Sequence, residues 1–331
     1  MSKKRFKILV IGCGDLGSRH LQAVSALPDV EEITVVDPNP KSLELGKQRL
    51  LDVPHRSKET ELKWFSSLEE MQGDADLCIM ATLAEGRNAL IKTIAQRFGV
   101  QLFLIEKLVA QSVEDYEALI SFAKEKNLSI WVNCQTRANG SHKRIKQNLD
   151  PGHPILLNVI GGNHGLATNG VHYADLFCFY DGSDHIQLNG TVIDPLLHPA
   201  KRGKGFFDLS GTLLGSSGKG SQFTLSFSGS HRSPPHLSIV SPHYRAIIDD
   251  VLGCFYESRE ASGWNWEKIP YEGDLFVSRM TKDFVADIFE KQACELPTLE
   301  ECFPAHRFIL KTLQPHFGAL LKKEISCCPA T

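Results

Sequence analysis

A short apolar run, Ile8-Leu9-Val10-Ile11, leads directly into Gly12-Cys13-Gly14-Asp15-Leu16-Gly17 and then into the helical spacing of Ser18 to Leu27. A strand that ends in G-x-G-x-x-G and reopens as a helix leaves few folds available. Gly12 allows the tight turn, Gly14 lets a diphosphate approach the backbone, and Gly17 lets helix and strand pack closely. The helix N-terminus adds unsatisfied N–H groups and a partial positive charge. A β-branched run, Ile33-Thr34-Val35-Val36, then ends in Asp37, 20 residues after Gly17. A carboxylate there accepts hydrogen bonds from adenosine ribose hydroxyls and repels a 2′-phosphate. Pro38 and Asn39 follow, so no nearby arginine or serine awaits that phosphate. NAD is therefore the expected cofactor, ahead of NADP, on Gly12, Cys13, Gly14, Asp15, Leu16, Gly17 and Asp37.

Leu77-Cys78-Ile79-Met80-Ala81 and Leu102-Phe103-Leu104-Ile105 are further bare apolar runs, each reached after a helical segment. Strands without alternation, separated by helices, belong to a parallel sheet covered on both faces. Val113 to Lys126 reads as another helix and Ser129 to Val132 as the strand after it, and there the alternation stops. Residues 1–132 are thus expected to form a dinucleotide-binding Rossmann domain. From 133 to 331 the texture changes to strands in succession, at 155–160, 187–192, 205–214, 222–228 and 237–240. Helical patterns lie at 141–149 and 170–180 and return over 274–291 and 299–313, punctuated by Pro297 and Pro304. This half is expected to be an α+β domain with an open, mostly antiparallel sheet for substrate binding and oligomerisation.

Composition excludes several classes. With 36 basic and 39 acidic residues the net charge is −3, which gives no field for nucleic acid. The basic cluster Lys201-Arg202-Gly203-Lys204 reads as an exposed loop. No apolar run approaches the ~18–20 residues that cross a bilayer. Met1-Ser2-Lys3-Lys4-Arg5 before an apolar stretch imitates a leader, but Gly12 and Gly14 break the stretch and no small-residue cleavage site follows. Nine scattered cysteines, odd in number and without paired metal spacing, predict a reduced cytoplasmic protein that holds no metal.

Several separated landmarks, in order, resemble the Gfo/Idh/MocA family (glucose–fructose oxidoreductase, inositol dehydrogenase and relatives). Gly12 to His20 looks like the family's opening, Ala81-Thr82 like its A-T-P-N strand end, and Ile105-Glu106-Lys107-Leu108 like its E-K-P motif. Arg137 resembles the arginine after the next strand, Gly170-Val171-His172-Tyr173-Ala174-Asp175 the G-x-H-x-x-D helix, and Asp283 to Pro297 the return helix. The resemblance implies substrate bound between the nicotinamide and the sheet. The chemistry it implies is hydride transfer to or from a carbon of a sugar, sugar nucleotide or cyclitol. It also implies a dimer or tetramer, and places Thr82, Glu106 and Lys107 on the cofactor.

Oxidising a secondary alcohol needs a base within ~2.6–3.2 Å of the hydroxyl oxygen. Lys107 ends a parallel strand, where such sheets place ligands, and in the family it contacts the reacting hydroxyl. His172 is the second expected proton-transfer group, with Asp175 one turn on, able to fix its tautomer or cap the helix. Arg137, Thr168, Asn169 and His172 are the expected substrate contacts. Arg87, Asn133 and His164 are further candidates, and His20 is expected to pack behind the phosphate loop. Trp264 and Trp266 are expected to pack rather than stack on a sugar.

The sequence departs from the family in places. Leu108 replaces a proline, so a trans Lys107–Leu108 bond is expected. Leu83-Ala84 replaces Pro-Asn, and Arg87 stands where histidine is common. Thr168 occupies the position of an aspartate common four residues before the helix histidine. Two alternatives follow: an NAD-using glycosidase working by oxidation and elimination, and a non-catalytic NAD sensor.

Overall fold

A computed structural model describes residues 5–54, 59–200, 203–273 and 275–331. Met1–Lys4 of the leader-like start, and Lys201 and Arg202 of the basic cluster, lie outside the described residues. The chain forms two compact units. One comprises residues up to Ala110, Glu117–Asn133 and Phe276–Leu299; the other Gln111–Tyr116, Cys134–Leu275 and Glu300–Thr331.

The first unit is built on six parallel strands: β1 (Phe6–Ile11), β2 (Val30–Val36), β3 (Glu61–Phe65), β4 (Leu77–Met80), β5 (Leu102–Ile105) and β6 (Ser129–Val132). Their order is β3-β2-β1-β4-β5-β6, the doubly wound arrangement with its switch point beside β1. Ile8 to Ile11, Leu77 to Met80 and Phe103 to Ile105 are all buried, which is why these strands read as bare apolar runs. Helices α1 (Asp15–Val24), α2 (Pro40–Leu51), α3 (Arg87–Phe98) and α4 (Val113–Lys126) make the crossovers. Asn39 caps α2 by accepting from the Lys41 N–H, with Pro40 at the helix start.

The return helix, Val277–Lys291, belongs to this unit, which a single cut at 132/133 does not provide for. Its Phe289 stacks on Phe6 with ring centroids 3.8 Å apart, and Thr281, Phe284, Val285 and Ile288 are buried. The helix begins at Val277 rather than near 274; Asp274 lies outside the described residues.

In the second unit, α5 (Gly140–Asn148) and α6 (Gly170–Asp181) flank β7 (Leu156–Gly161), and β8 (Gln187–Ile193) follows. The short strands β9 (His198–Pro199) and β10 (Phe207–Asp208) pair with each other. The expected strand 205–214 is therefore two, broken at Leu209-Ser210. Beyond it run β11 (Gly211–Ser216), β12 (Gln222–Phe227), β13 (His236–Val240), β14 (Tyr244–Asp249), β15 (Cys254–Arg259) and β16 (Glu267–Ile269). With β7 and β8 they form an eight-stranded sheet ordered β16-β15-β14-β13-β7-β12-β11-β8. Among the described residues of this sheet only the β7–β12 pair is parallel, so the expected open, mostly antiparallel sheet is present.

One sheet face is core. Leu157, Val159, Leu213, Phe223, Leu225, Leu237, Ile239, Ile248 and Phe255 are buried there. Phe223 stacks on Phe177 of α6 and tilts against Phe308 of the C-terminal helix, Leu299–Leu321. That helix runs eight residues past its expected end at 313, through Pro315. No helix among the described residues is long and apolar enough to cross a membrane.

Candidate functional site

The loop after β1 has the geometry its glycines predict. Gly12 takes φ +83°, and a Cβ on Gly17 would lie 1.8 Å from the Gly12 carbonyl oxygen. Gly14, by contrast, would carry a Cβ with no atom within 4 Å, so the approach to the backbone at the start of α1 is open. The Cys13 N–H donates to Asp37 Oδ2 at 2.7 Å, and the Asn39 N–H donates to Oδ1 at 2.8 Å. Asp37 thereby ties the β2 end to the phosphate loop. A carboxylate accepts about four hydrogen bonds, so ribose hydroxyls can still be taken. Burial and Asp37 push the Cys13 thiol up to about 12, which leaves it an inert packing group.

A second cluster lies at the carboxyl ends of β4 and β5. Glu106 is buried; it accepts from His20 Nε2 at 2.9 Å and from Asn133 Nδ2 at 2.7 Å. His20 Nδ1 meets Thr281 Oγ1 of the return helix at 2.8 Å. Burial alone would raise the Glu106 pKa. The His20 hydrogen bond, the charges of His20 and Lys107 and the Asn133 bond outweigh it and hold the carboxyl at about 2. His20 is thus more than packing behind the loop: it bridges Glu106 to the return helix. Asn133, a candidate substrate contact from sequence, instead braces Glu106.

Arg87 differs from expectation in the same way. Its guanidinium is fully buried and donates to the carbonyls of Thr82, Glu106 and Leu108. Burial lowers its pKa to about 10, against the opposing charge of Glu106. It is an internal clamp on the two strand ends, with no exposed face for substrate. The Lys107–Leu108 peptide is cis, which corrects the trans bond expected from Leu108; both carbonyls beside Lys107 are held by Arg87. Lys107 itself is half-buried.

The expected contacts of the second unit are arranged separately. His172 lies in the first turn of α6, its N–H on the Asn169 carbonyl at 3.1 Å. Arg137 does not offer its fork to a ligand. Its Nε and Nη2 donate to both oxygens of the buried Asp175 at 2.8 and 2.5 Å. The carboxylate expected to orient His172 is therefore committed to Arg137. Beside that pair the buried thiols of Cys134 and Cys302 lie 3.4 Å apart. Sulfurs and carboxylate fall within 4.8 Å of one another, a convergence that linear spacing did not reveal. Asp175 is paired with Arg137, and burial pushes the Cys302 thiol well up.

Sequence reasoning missed Asp208. Its Oδ1 accepts from the Ala167 and Leu209 N–H groups, both at 2.8 Å. Its Oδ2 accepts from the Thr168 N–H at 3.0 Å and the Thr168 hydroxyl at 2.5 Å. Burial raises the Asp208 pKa against those bonds. A carboxylate thus stands beside Thr168, supplied by β10 rather than by position 168. Asn169 Nδ2 donates to the His164 carbonyl, completing the turn before α6. His164 Nε2 lies 3.2 Å from the Ser233 carbonyl. Arg245 lies 5.2 Å from the ring of Trp264 and 4.6 Å from that of Trp266, the packing role expected of both.

A sheet of this order, a glycine-rich turn at its switch point and an acid closing β2 define a dinucleotide-binding protein. Residues 6–134 match the family model described as "Oxidoreductase family, NAD-binding Rossmann fold" (GFO_IDH_MocA). Over these residues the chain is similar to the NAD-binding Rossmann domain of that oxidoreductase family. No curated protein matches the chain in sequence. Among solved structures it is similar to an oxidoreductase from Agrobacterium radiobacter in complex with NAD+, L-tartaric acid and magnesium. The TM-score is 0.71 at 13% identity, over 92% of this chain and 94% of that one. It is also similar to the 3-ketoreductase KijD10 from Actinomadura kijaniata in complex with NADP and TDP-benzene, at TM-score 0.70 and 16% identity, over 92% and 96%. A dehydrogenase (MviM) from Clostridium difficile gives TM-score 0.70 at 18% identity, over 94% and 100%. These likenesses establish the fold across both units.

Proposed function

We propose that the protein transfers a hydride between nicotinamide and a hydroxyl or ketone carbon of a sugar, sugar nucleotide or cyclitol, with NAD preferred to NADP. The observation that carries this reading is Asp37. Its carboxylate ends β2 and is hydrogen-bonded to Cys13 and Asn39, and an acid at that position accepts ribose hydroxyls and repels a 2′-phosphate, which supports NAD. The solved neighbours were bound to NAD+ in one case and NADP in another, so the preference rests on this chain's own acid. The open approach at Gly14 and the close packing at Gly17 fit a bound diphosphate. When bound, the cofactor supplies a hydride acceptor or donor.

The chain's own residues supply the rest. Lys107 takes the hydroxyl proton during oxidation and returns it during reduction. Its backbone is held on both sides by Arg87, and Glu106 beside it stays ionised. His172 is the second proton-transfer or hydroxyl-binding residue, and Thr168 and Asn169 contact substrate. Thr168 works with the Asp208 carboxylate at its hydroxyl. Arg137 drops out of the substrate set because Asp175 occupies its fork. Nine unpaired cysteines favour a cytoplasmic setting. The uncovered sheet face favours a homo-oligomer.

Screening sugars, cyclitols and sugar nucleotides with NAD or NADH, read at the nicotinamide absorbance band, tests the reading. Turnover of at least one is expected. Cleavage of nitrophenyl glycosides without net NADH formation would point to the glycosidase instead. NADH binding with no turnover of any kind would leave the sensor.

A further inference from the structure

The phosphate loop carries an acid of its own. Asp15 is the first residue of α1, and its side chain is 67% exposed at the helix end that would receive the diphosphate. A carboxylate suits a bare helix N-terminus but opposes a diphosphate bound there. The structure pairs it. Arg49, in the last turn of α2, donates through Nη2 to Asp15 Oδ1 at 2.6 Å. Through Nη1 it reaches the Asp15 carbonyl at 2.5 Å and the Ser18 hydroxyl at 2.6 Å. Its positive charge is also felt at Cys13, inside the loop. Three acceptors from one helical turn, all belonging to the phosphate-binding segment, converge on one guanidinium from another helix.

We propose that Arg49 is the residue that makes this loop compatible with a dinucleotide diphosphate, by cancelling the charge of Asp15 at the helix end. With the pair intact, the first turn of α1 offers N–H groups and no net negative charge. The effect belongs to the diphosphate, common to NAD and NADP, and not to the ribose selection made by Asp37. The proposal rests on the reading of residues 6–134 as a dinucleotide-binding unit.

A double-mutant cycle on NADH affinity tests it without a substrate. Loss of the Arg49 charge beside a carboxylate in this turn costs roughly tenfold in affinity at low salt, so Arg49→Gln is expected to bind NADH about tenfold more weakly. Asp15→Asn, which removes the opposing charge, is expected to bind NADH at least as tightly as the unmodified protein, and Asp15→Asn/Arg49→Gln to recover most of the Arg49→Gln loss. The Arg49→Gln deficit shrinks in about 0.5 M salt, as a screened charge effect must and a folding defect does not. Arg49→Lys, which keeps the charge without the fork, stays within about threefold. A double variant as weak as Arg49→Gln, or a tenfold loss in Arg49→Lys, overturns the proposal alone. An unmodified protein that binds no dinucleotide overturns the underlying reading and this proposal with it.

Discussion

Lys107 is the proton-transfer residue proposed for the first unit. Arg87 holds the carbonyls on either side of it, and Glu106 is pinned by His20 and Asn133. These hydrogen bonds are made by the neighbouring carbonyls and by Glu106, so removing the amine should leave the frame standing. Lys107→Ala is expected to lower turnover at least ~100-fold, the lower end for a lost acid–base group, with NADH affinity within about threefold. Retained turnover moves the proton-transfer role elsewhere, to His172 first. The residues chosen from sequence were the ones whose chemistry is visible in their type and neighbours: a lysine after glutamate at a strand end, an acid ending β2. Those missed act across long separations. Asp208 meets Thr168 from 40 positions away, and Arg49 meets Asp15 from 34. Nothing in a local pattern announces such a pair. In sequence Arg87 is an exchange for histidine; its burial reveals it as a clamp on main-chain oxygens.

The loop joining β1 to α1 separates packing from ligand access within six residues. Gly17 is a packing position: a methyl group there would lie 1.8 Å from the Gly12 carbonyl oxygen. Gly17→Ala is expected to destabilise the protein by about 2–3 kcal/mol, read as a lowered midpoint in urea. At Gly14 the same methyl meets nothing within 4 Å, and φ is −64°. Gly14→Ala should therefore keep its urea midpoint and lose NADH affinity, because only a ligand would collide with it. A destabilised Gly14→Ala with unchanged affinity contradicts this division. The parallel strands were legible because burial on both faces leaves bare apolar runs. Strands β14 to β16 were not, since Tyr244–Asp249, Cys254–Arg259 and Glu267–Ile269 mix charged and apolar residues on a half-exposed sheet. The small strand β3 was hidden in the same way by Glu61 and Lys63.

At the scale of the whole molecule, the second unit leaves several apolar side chains exposed on its sheet, among polar neighbours such as Asn158, Thr224, Ser238 and Arg245. Leu156, Ile160, Leu214, Val240 and Ile247 are exposed on strands whose alternate residues form the core, and Leu188 and Val192 on the edge strand β8, with Val192 71% accessible. Exposed apolar groups of this kind suit an association surface, and we expect dimers or tetramers by light scattering at micromolar protein. Ile160→Glu with Val192→Glu should return the monomer mass. A monomer in the unmodified protein contradicts that assignment without touching the chemistry.

The central claim is that the first unit is an NAD-selective cofactor site, with Asp37 as the selecting group. Calorimetric titration of the cofactor-stripped protein with NAD, NADH, NADP and NADPH measures it directly. NAD and NADH are expected to bind at least about tenfold more tightly than their 2′-phosphorylated counterparts. Asp37→Ala should erase most of that difference by weakening NAD more than NADP. Equal affinity for the two pairs would remove Asp37 from its role, and binding of none of the four would leave only the fold.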